Sequence, residues 1–332
     1  VANPRKKIPT ILCSKELLDK AFKKASKIQK KGFDNVDKNK KTAISKISVA
    51  GDIISSNLAK YVKAFPSFSK TSQFEMELID VILGIDKLKK SLGALNWCSA
   101  KALELEKVYL GKVKKAQNSE EISRLRREFY GRLSSLVDQI DQDLKFVAFA
   151  RDKLKELPEI DPTVPTVVIA GFPNVGKSQL VERISTARPK IAPYPFTTQG
   201  IGIGHFVVGR KRYQVVDTPG LLDRKLEERN KIELQAILAL KHLADVIVFL
   251  IDPSETSGYG MKDQLALLES IKTNFAGIPI IEIENKSDIV KIESPRMKIS
   301  ALTGDGIDDL LGLIIEMLDR TRKANNSEPI AI

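Results

Sequence analysis

The chain has 332 residues, 42% hydrophobic and 29% charged, with a formal net charge of +12. That balance suggests about two globular domains and excludes wholesale disorder; no apolar run reaches the ~18–20 residues of a membrane span, and no secretory-signal pattern opens the sequence. Two distant cysteines, Cys13 and Cys98, and two histidines, His205 and His242, are too few for a disulfide framework, a zinc site or a Ser-His-Asp triad, so a reducing cytoplasm is expected.

The first half reads as helix. From Ser14 to Lys31, Leu17, Leu18, Ala21, Phe22, Ala25 and Ile28 follow one helical face, with Ser14 as N-cap and Gly32 as stop. A second run, about 35–64, carries Ile44, Ile47, Ile54, Leu58, Tyr61 and Val62 and ends at Pro66. A third, about 72–116, opens with the capping-box order Ser72…Glu75 and has bend points at Gly84 and Gly93. A fourth, about 119–156, opens at Ser119 and repeats apolar residues from Ile122 to Val147. Long amphipathic helices with short connections predict a helical bundle over 1–157. Residues 1–60 carry a net +10, 61–160 carry +3 and 161–332 carry −1. The basic excess suits a polyanion such as RNA, with Lys23, Lys24, Lys27, Lys30 and Lys31 as the candidate contact cluster; the bland alternative is a solvated lysine-rich surface.

Pro158, Pro162 and Pro165 mark a stiff linker over 158–165. Beyond it, short β-branched runs alternate with helical stretches. Strands are predicted at Val167–Ala170, Ile201–Val208, Tyr213–Val216, Val246–Ile251, Ile278–Ile283 and Arg296–Ile299, and helices near 177–186, 227–242, 261–274 and 306–322. This alternation predicts a mostly parallel, doubly wound α/β sheet over 166–324, with ligands at the carboxyl ends of its strands, and 325–332 as a flexible tail.

Gly171-Phe172-Pro173-Asn174-Val175-Gly176-Lys177-Ser178 is a full GxxxxGKS phosphate-binding loop between an apolar strand and a helix. Its amides, and that of Gln179, can close around phosphate at a helix N-terminus. Lys177 supplies a point charge and Ser178 a hydroxyl for Mg²⁺. Asp217-Thr218-Pro219-Gly220 follows 39 residues after Ser178; Asp217 can hold Mg²⁺ and the Gly220 amide can sense a γ-phosphate. Thr197 and Thr198 lie between, and Thr198 is the expected γ-phosphate-dependent Mg²⁺ ligand. Asn285-Lys286-Ser287-Asp288 follows a strand. The Asp288 carboxylate can accept both N1–H and N2–H of guanine, Lys286 can cover the purine face, and Asn285 can tie this loop to the phosphate loop. Ser300, Ala301 and Leu302 follow the last strand, in position to offer an amide to guanine O6. GTP and GDP are therefore the expected ligands.

These motifs, with Tyr194-Pro-Phe-Thr-Thr198, resemble a translation-factor-related GTPase of the Obg-like branch. Phe249-Leu-Ile-Asp252-Pro-Ser-Glu-Thr-Ser-Gly258-Tyr-Gly260 is similar to the signature segment of the nucleolar GTP-binding (Nog) family, and Leu157–Pro162 and Asp223–Glu233 fit it too. The resemblance implies a GTPase that takes part in assembly of the large ribosomal subunit. Eukaryotic members carry a long extension, whereas this chain ends about ten residues after its last predicted helix, so a short, archaeal-type, monomeric member is expected. Leu221 stands where many GTPases carry a water-orienting glutamine, which predicts slow intrinsic turnover. Asn174 resembles the asparagine that coordinates K⁺ in several relatives; a partner's arginine is the alternative source of compensating charge. The expected function is a GTP-controlled assembly factor that binds ribosomal RNA or a large-subunit precursor through the helical half. The alternative is a GTP-regulated adaptor whose helical half binds a protein effector.

Overall fold

The computed structural model describes residues 7–67, 71–157, 160, 161, 163–195, 197, 200–224, 229–290 and 292–327, with side chains for all of these but 232 and 323–327. Two units divide the chain: Val1–Lys70 with Leu83–Lys155, and Thr71–Ile82 with Glu156–Ile332.

The helices of the first half are α1 (Ser14–Ser26), α2 (Asn35–Ala64), α3 (Gln73–Leu83), α4 (Ile85–Lys115), α5 (Ser119–Asp138) and α6 (Asp141–Glu156). Local polar chemistry sets their ends. Cys13, not Ser14, precedes α1 as N-cap, because the Glu16 carboxylate reaches back to accept the Cys13 N–H at 3.0 Å. α1 stops at Ser26, five residues short of Lys31. Lys23 and Lys24 thus lie in its last turn, Lys27 is its C-cap, and Lys30 and Lys31 lie beyond it; all five are exposed. Asp34 caps α2 by accepting the Asp37 N–H at 2.7 Å. Asn118 caps α5 by accepting the Glu121 N–H at 2.8 Å. The third predicted helix breaks at Gly84, whose φ of 72° is left-handed and therefore suits glycine. The fourth breaks at Gln139–Ile140. In the first unit α2 and α4 pack closely. Ser99 Oγ donates to the Ser55 carbonyl at 3.0 Å, and a Cβ on Gly51 would stand 2.5 Å from Glu106 Oε2.

The second unit holds α3 and a seven-stranded sheet. Its elements are β1 (Thr166–Ala170), α7 (Lys177–Ile184), β2 (Lys190–Ala192), β3 (Ile201–Val208), β4 (Lys211–Asp217), α8 (Lys231–Ala239) with a 3₁₀ turn at Leu240–His242, β5 (Val246–Ile251), α9 (Met261–Asn274), β6 (Ile280–Glu284), β7 (Met297–Lys298) and α10 (Ile307–Ser327). The order is β2-β3-β4-β1-β5-β6-β7, parallel from β4 through β7 and antiparallel over β2-β3-β4. Every residue of β1 and β5 is buried, as central parallel strands require. β2 was not predicted: three residues at a sheet edge, with Ile191 78% exposed, give no alternating pattern. α10 continues through Ser327, so 325–327 are helical rather than tail. Residues 158, 159 and 162 of the predicted linker and 328–332 of the predicted tail lie outside the described residues. No helix among the described residues is long and apolar enough to cross a membrane.

Candidate functional site

The loop from β1 to α7 is shaped by two glycines. Gly171 has φ 136°, and a Cβ there would meet the Leu250 carbonyl oxygen at 2.6 Å. Gly176 has φ 102°, and a Cβ there would meet Asn285 Nδ2 at 2.2 Å. Any larger residue at 176 would therefore push the loop away from Asn285. Between them Asn174 takes a φ of 63°, a conformation its short amide tolerates better than most side chains do. Pro173, Asn174 and Gly176 through Gln179 on one side, with Pro219, Gly220 and Asp223 on the other, bound a cavity of about 590 Å³.

Lys177 opens α7 with its ammonium folded back, donating to the Gly171 carbonyl at 2.8 Å and the Phe172 carbonyl at 2.7 Å. Burial pushes its pKa down, partly offset by the charges of Asp217 and Asp223. Ser178 Oγ donates to Asp217 Oδ2 at 2.5 Å. Asp217 ends β4, and burial pushes its carboxyl above the usual range despite Ser178 and Lys177. Its second oxygen, Oδ1, is buried without a hydrogen-bond partner. A buried carboxylate with a spare oxygen, paired to the hydroxyl of the exposed Ser178 at the cavity wall, is a hard-donor set that fits Mg²⁺. Thr198 lies outside the described residues. Thr197 is engaged within its own turn: its hydroxyl donates to the Tyr194 carbonyl at 2.9 Å and accepts the Gly200 N–H at 3.0 Å.

Asn285 joins the loops. Its Nδ2 donates to the Val175 carbonyl at 2.8 Å, and its Oδ1 accepts the Ala301 N–H at 2.9 Å. Asp288 is exposed, and its Oδ1 accepts from Ser300 Oγ at 2.5 Å. Arg183 donates to the carbonyls of Ala301 and Leu302, which steadies that loop from α7. Leu302 itself is 61% exposed.

The segment after β5 is organised around a buried carboxylate. Asp252 is 0% exposed and accepts from the Ser254 N–H (3.0 Å), Ser254 Oγ, Thr256 Oγ1, the Ser257 N–H (2.8 Å) and Lys286 Nζ (2.6 Å). Gln264 of α9 holds both the N–H and the carbonyl of Asp252, at 2.7 and 3.0 Å, and the Tyr259 carbonyl at 2.8 Å. Tyr259 then stacks on Phe172 of the phosphate loop, with centroids 4.2 Å apart. The segment thus grips the 285–288 loop through Lys286 and the loop between β1 and α7 through Phe172. Sequence reading left Asp252–Gly260 without a physical role. The available signal was an Asp-Pro-Ser turn after a fully apolar strand, with Gln264 a helical turn into α9.

Two further residues escaped the motif reading. The Gly220 N–H donates to Asp223 Oδ2 at 2.8 Å. Arg229, its side chain 1% exposed, donates through Nη2 to the carbonyls of Gly220 and Leu221, both at 2.8 Å, and to Asp223 Oδ1 at 3.1 Å. Leu221 is buried. His205 sits opposite Gln214 in the β3–β4 ladder, and His242 pairs with Glu77 of α3 at 2.9 Å; neither lines the cavity.

A family model described as the NOG1 N-terminal helical domain matches residues 6–161, and one described as nucleolar GTP-binding protein 1 (NOG1) matches residues 231–288. An uncharacterized protein of Methanocaldococcus jannaschii is 44% identical over 296 residues, which are 88% of this chain and 83% of that one. Nucleolar GTP-binding protein 1 of Kluyveromyces lactis is 32% identical over 292 residues, 87% of this chain and 45% of that one. The chain therefore spans about half the length of the curated nucleolar relatives it matches. Among solved structures, one described as nucleolar GTP-binding protein 1 from Plasmodium falciparum is similar at 34% identity and a TM-score of 0.45, over 51% of this chain and 93% of that chain.

Proposed function

The chain belongs to the nucleolar GTP-binding protein 1 family, and from that membership we propose a slow, Mg²⁺-dependent GTPase that acts in assembly of the large ribosomal subunit. The observation that carries the nucleotide reading is the junction at Asn285. It brings the phosphate loop and the NKSD loop, 110 residues apart in sequence, onto one rim. Lys177 is poised to exchange its two carbonyl partners for β- and γ-phosphate oxygens, a stronger, charge-assisted contact. Ser178 and Asp217 would hold Mg²⁺, joined by Thr198 when a γ-phosphate is present; the ion supplies charge neutralisation on the phosphates. Asp288 reads the guanine edge, Lys286 lays its stem along the purine, and the Ala301 region faces O6. Leu221, buried and apolar, cannot orient water, which supports slow turnover. Compensating charge comes from K⁺ held at Asn174, with a partner's arginine as the competing source.

The exposed lysines Lys23, Lys24, Lys27, Lys30 and Lys31 are the proposed RNA contacts in the first unit. A cytoplasmic site of action belongs to the same proposal, although the matched curated relatives are named for the nucleolus. The test is sedimentation of the full chain with ribosomal subunits in GDP and in a non-hydrolysable GTP analogue. Nucleotide-dependent association with the large subunit is expected. Reversing the five lysines should weaken it and flatten the salt dependence, which runs at a slope of about −0.7 to −0.9 per phosphate contact. Association that ignores both nucleotide and the lysine reversal would overturn the assembly reading.

A further inference from the structure

The amide of Gly220 is the group expected to meet a γ-phosphate, and it already has an anionic partner. Asp223 Oδ2 accepts that N–H at 2.8 Å, and Asp223 lines the same cavity as Lys177 and Ser178. The carboxylate is fixed from behind. Arg229 holds Asp223 Oδ1 at 3.1 Å while its Nη2 clamps the carbonyls of Gly220 and Leu221, and its own Nε is buried without a partner. A short turn of the chain has thus built an anion into the place where the third phosphate must arrive.

We propose that Asp223 is a specificity-determining residue: its carboxylate holds the γ-phosphate position, favours GDP over GTP in the free protein, and must leave Gly220 before GTP is read. The inference rests on the GTP-binding reading above. One amide proton cannot satisfy two anions at once, and a γ-phosphate next to a carboxylate pays like-charge repulsion at close range. Eviction also separates Asp223 from Arg229. It leaves a guanidinium, buried and incompletely bonded, without its counter-charge, so the loop after Gly220 must rearrange when GTP replaces GDP. GDP, ending at the β-phosphate, makes no such demand.

The experiment measures GDP and a non-hydrolysable GTP analogue by equilibrium binding to the full chain, to Asp223→Asn and to Asp223→Ala. Asp223→Asn keeps the shape and an acceptor for Gly220 while removing the charge, and so tests the inference even where Asp223→Ala does not fold. The ratio of GTP-analogue to GDP affinity should rise about tenfold in Asp223→Asn, the lower end of what one hydrogen bond to a charged group is worth. An unchanged ratio, or one that falls, overturns the proposal; a fall would make Asp223 a support for the γ-phosphate loop. Parent protein that binds neither nucleotide overturns the underlying GTP reading instead, and is told apart by that blank.

Discussion

Asp252→Asn isolates what the buried clasp after β5 contributes. The carboxylate makes five hydrogen bonds from a site with no solvent exposure. An asparagine oxygen in place of Oδ1 keeps the two from Ser254. Its NH₂, in place of Oδ2, meets the Ser257 N–H and the Lys286 ammonium as donor against donor and loses both, while the Thr256 hydroxyl on the same side can turn to accept. A lost bond to a charged group costs about 1.5–3 kcal/mol, and Lys286, 18% exposed, recovers part of that by turning to water. The net cost is therefore about 2–4 kcal/mol. For a unit of this size that lowers Tm by roughly 5–15 °C. The pH dependence has a definite sign. Burial raises the Asp252 pKa, but Lys286, Ser254 and the Ser257 N–H lower it further, and the net shift is below the ordinary 3.8. A depressed acid stabilises the fold fully above the unfolded value and loses that stabilisation as pH falls through the folded one. The Tm gap between parent and variant should be flat from pH 7 to about 5 and close only below about 4. Melts that coincide within about 2 °C at neutral pH would refute the clasp.

Asp288→Asn should shift preference from guanosine to xanthosine nucleotides, with GTP affinity falling at least ~10-fold from one mismatched hydrogen bond; equal GTP binding by titration would show that this loop does not read the base. Hydrolysis should run faster in KCl than in NaCl at matched ionic strength, and Asn174→Gly should abolish the difference. Glycine is the clean substitution because φ at 174 is 63°, where alanine would add backbone strain. A parent protein indifferent to the cation removes K⁺ from the mechanism.

The phosphate loop was legible because its chemistry forbids alternatives: Gly171 and Gly176 stand where a Cβ would strike a carbonyl or Asn285. The central strands were legible because β1 and β5 are buried on both faces and so read as unbroken apolar runs. Helix ends were not. Cys13 is an unlikely cap by type, and only the reach of Glu16 makes it one. Gly84 and Gly93 were equal candidates for a bend, and only Gly84 takes a left-handed conformation. The roles of Asp252, Asp223 and Arg229 depend on partners 34, 3 and 9 residues away that meet only after folding. A one-dimensional motif records the residue type at such positions but not the atom it will face.

The assignment of Thr71–Ile82 to the second unit has a consequence for how the protein is made. Phe74, Leu78 and Ile79 of α3 are buried in the folded chain, and Glu77 pairs with His242 of the same unit. On the ribosome α3 emerges before any strand of that sheet exists, and about 160 further residues must follow before His242 appears. At roughly 5–20 residues per second that is on the order of 10–30 seconds. The chain of the first unit, complete at Lys155, is out well before then. From the emergence of Lys155 until His242 appears, α3 is an apolar helix without its final partner, threaded between the two segments of the first unit, and exposed to misassembly there.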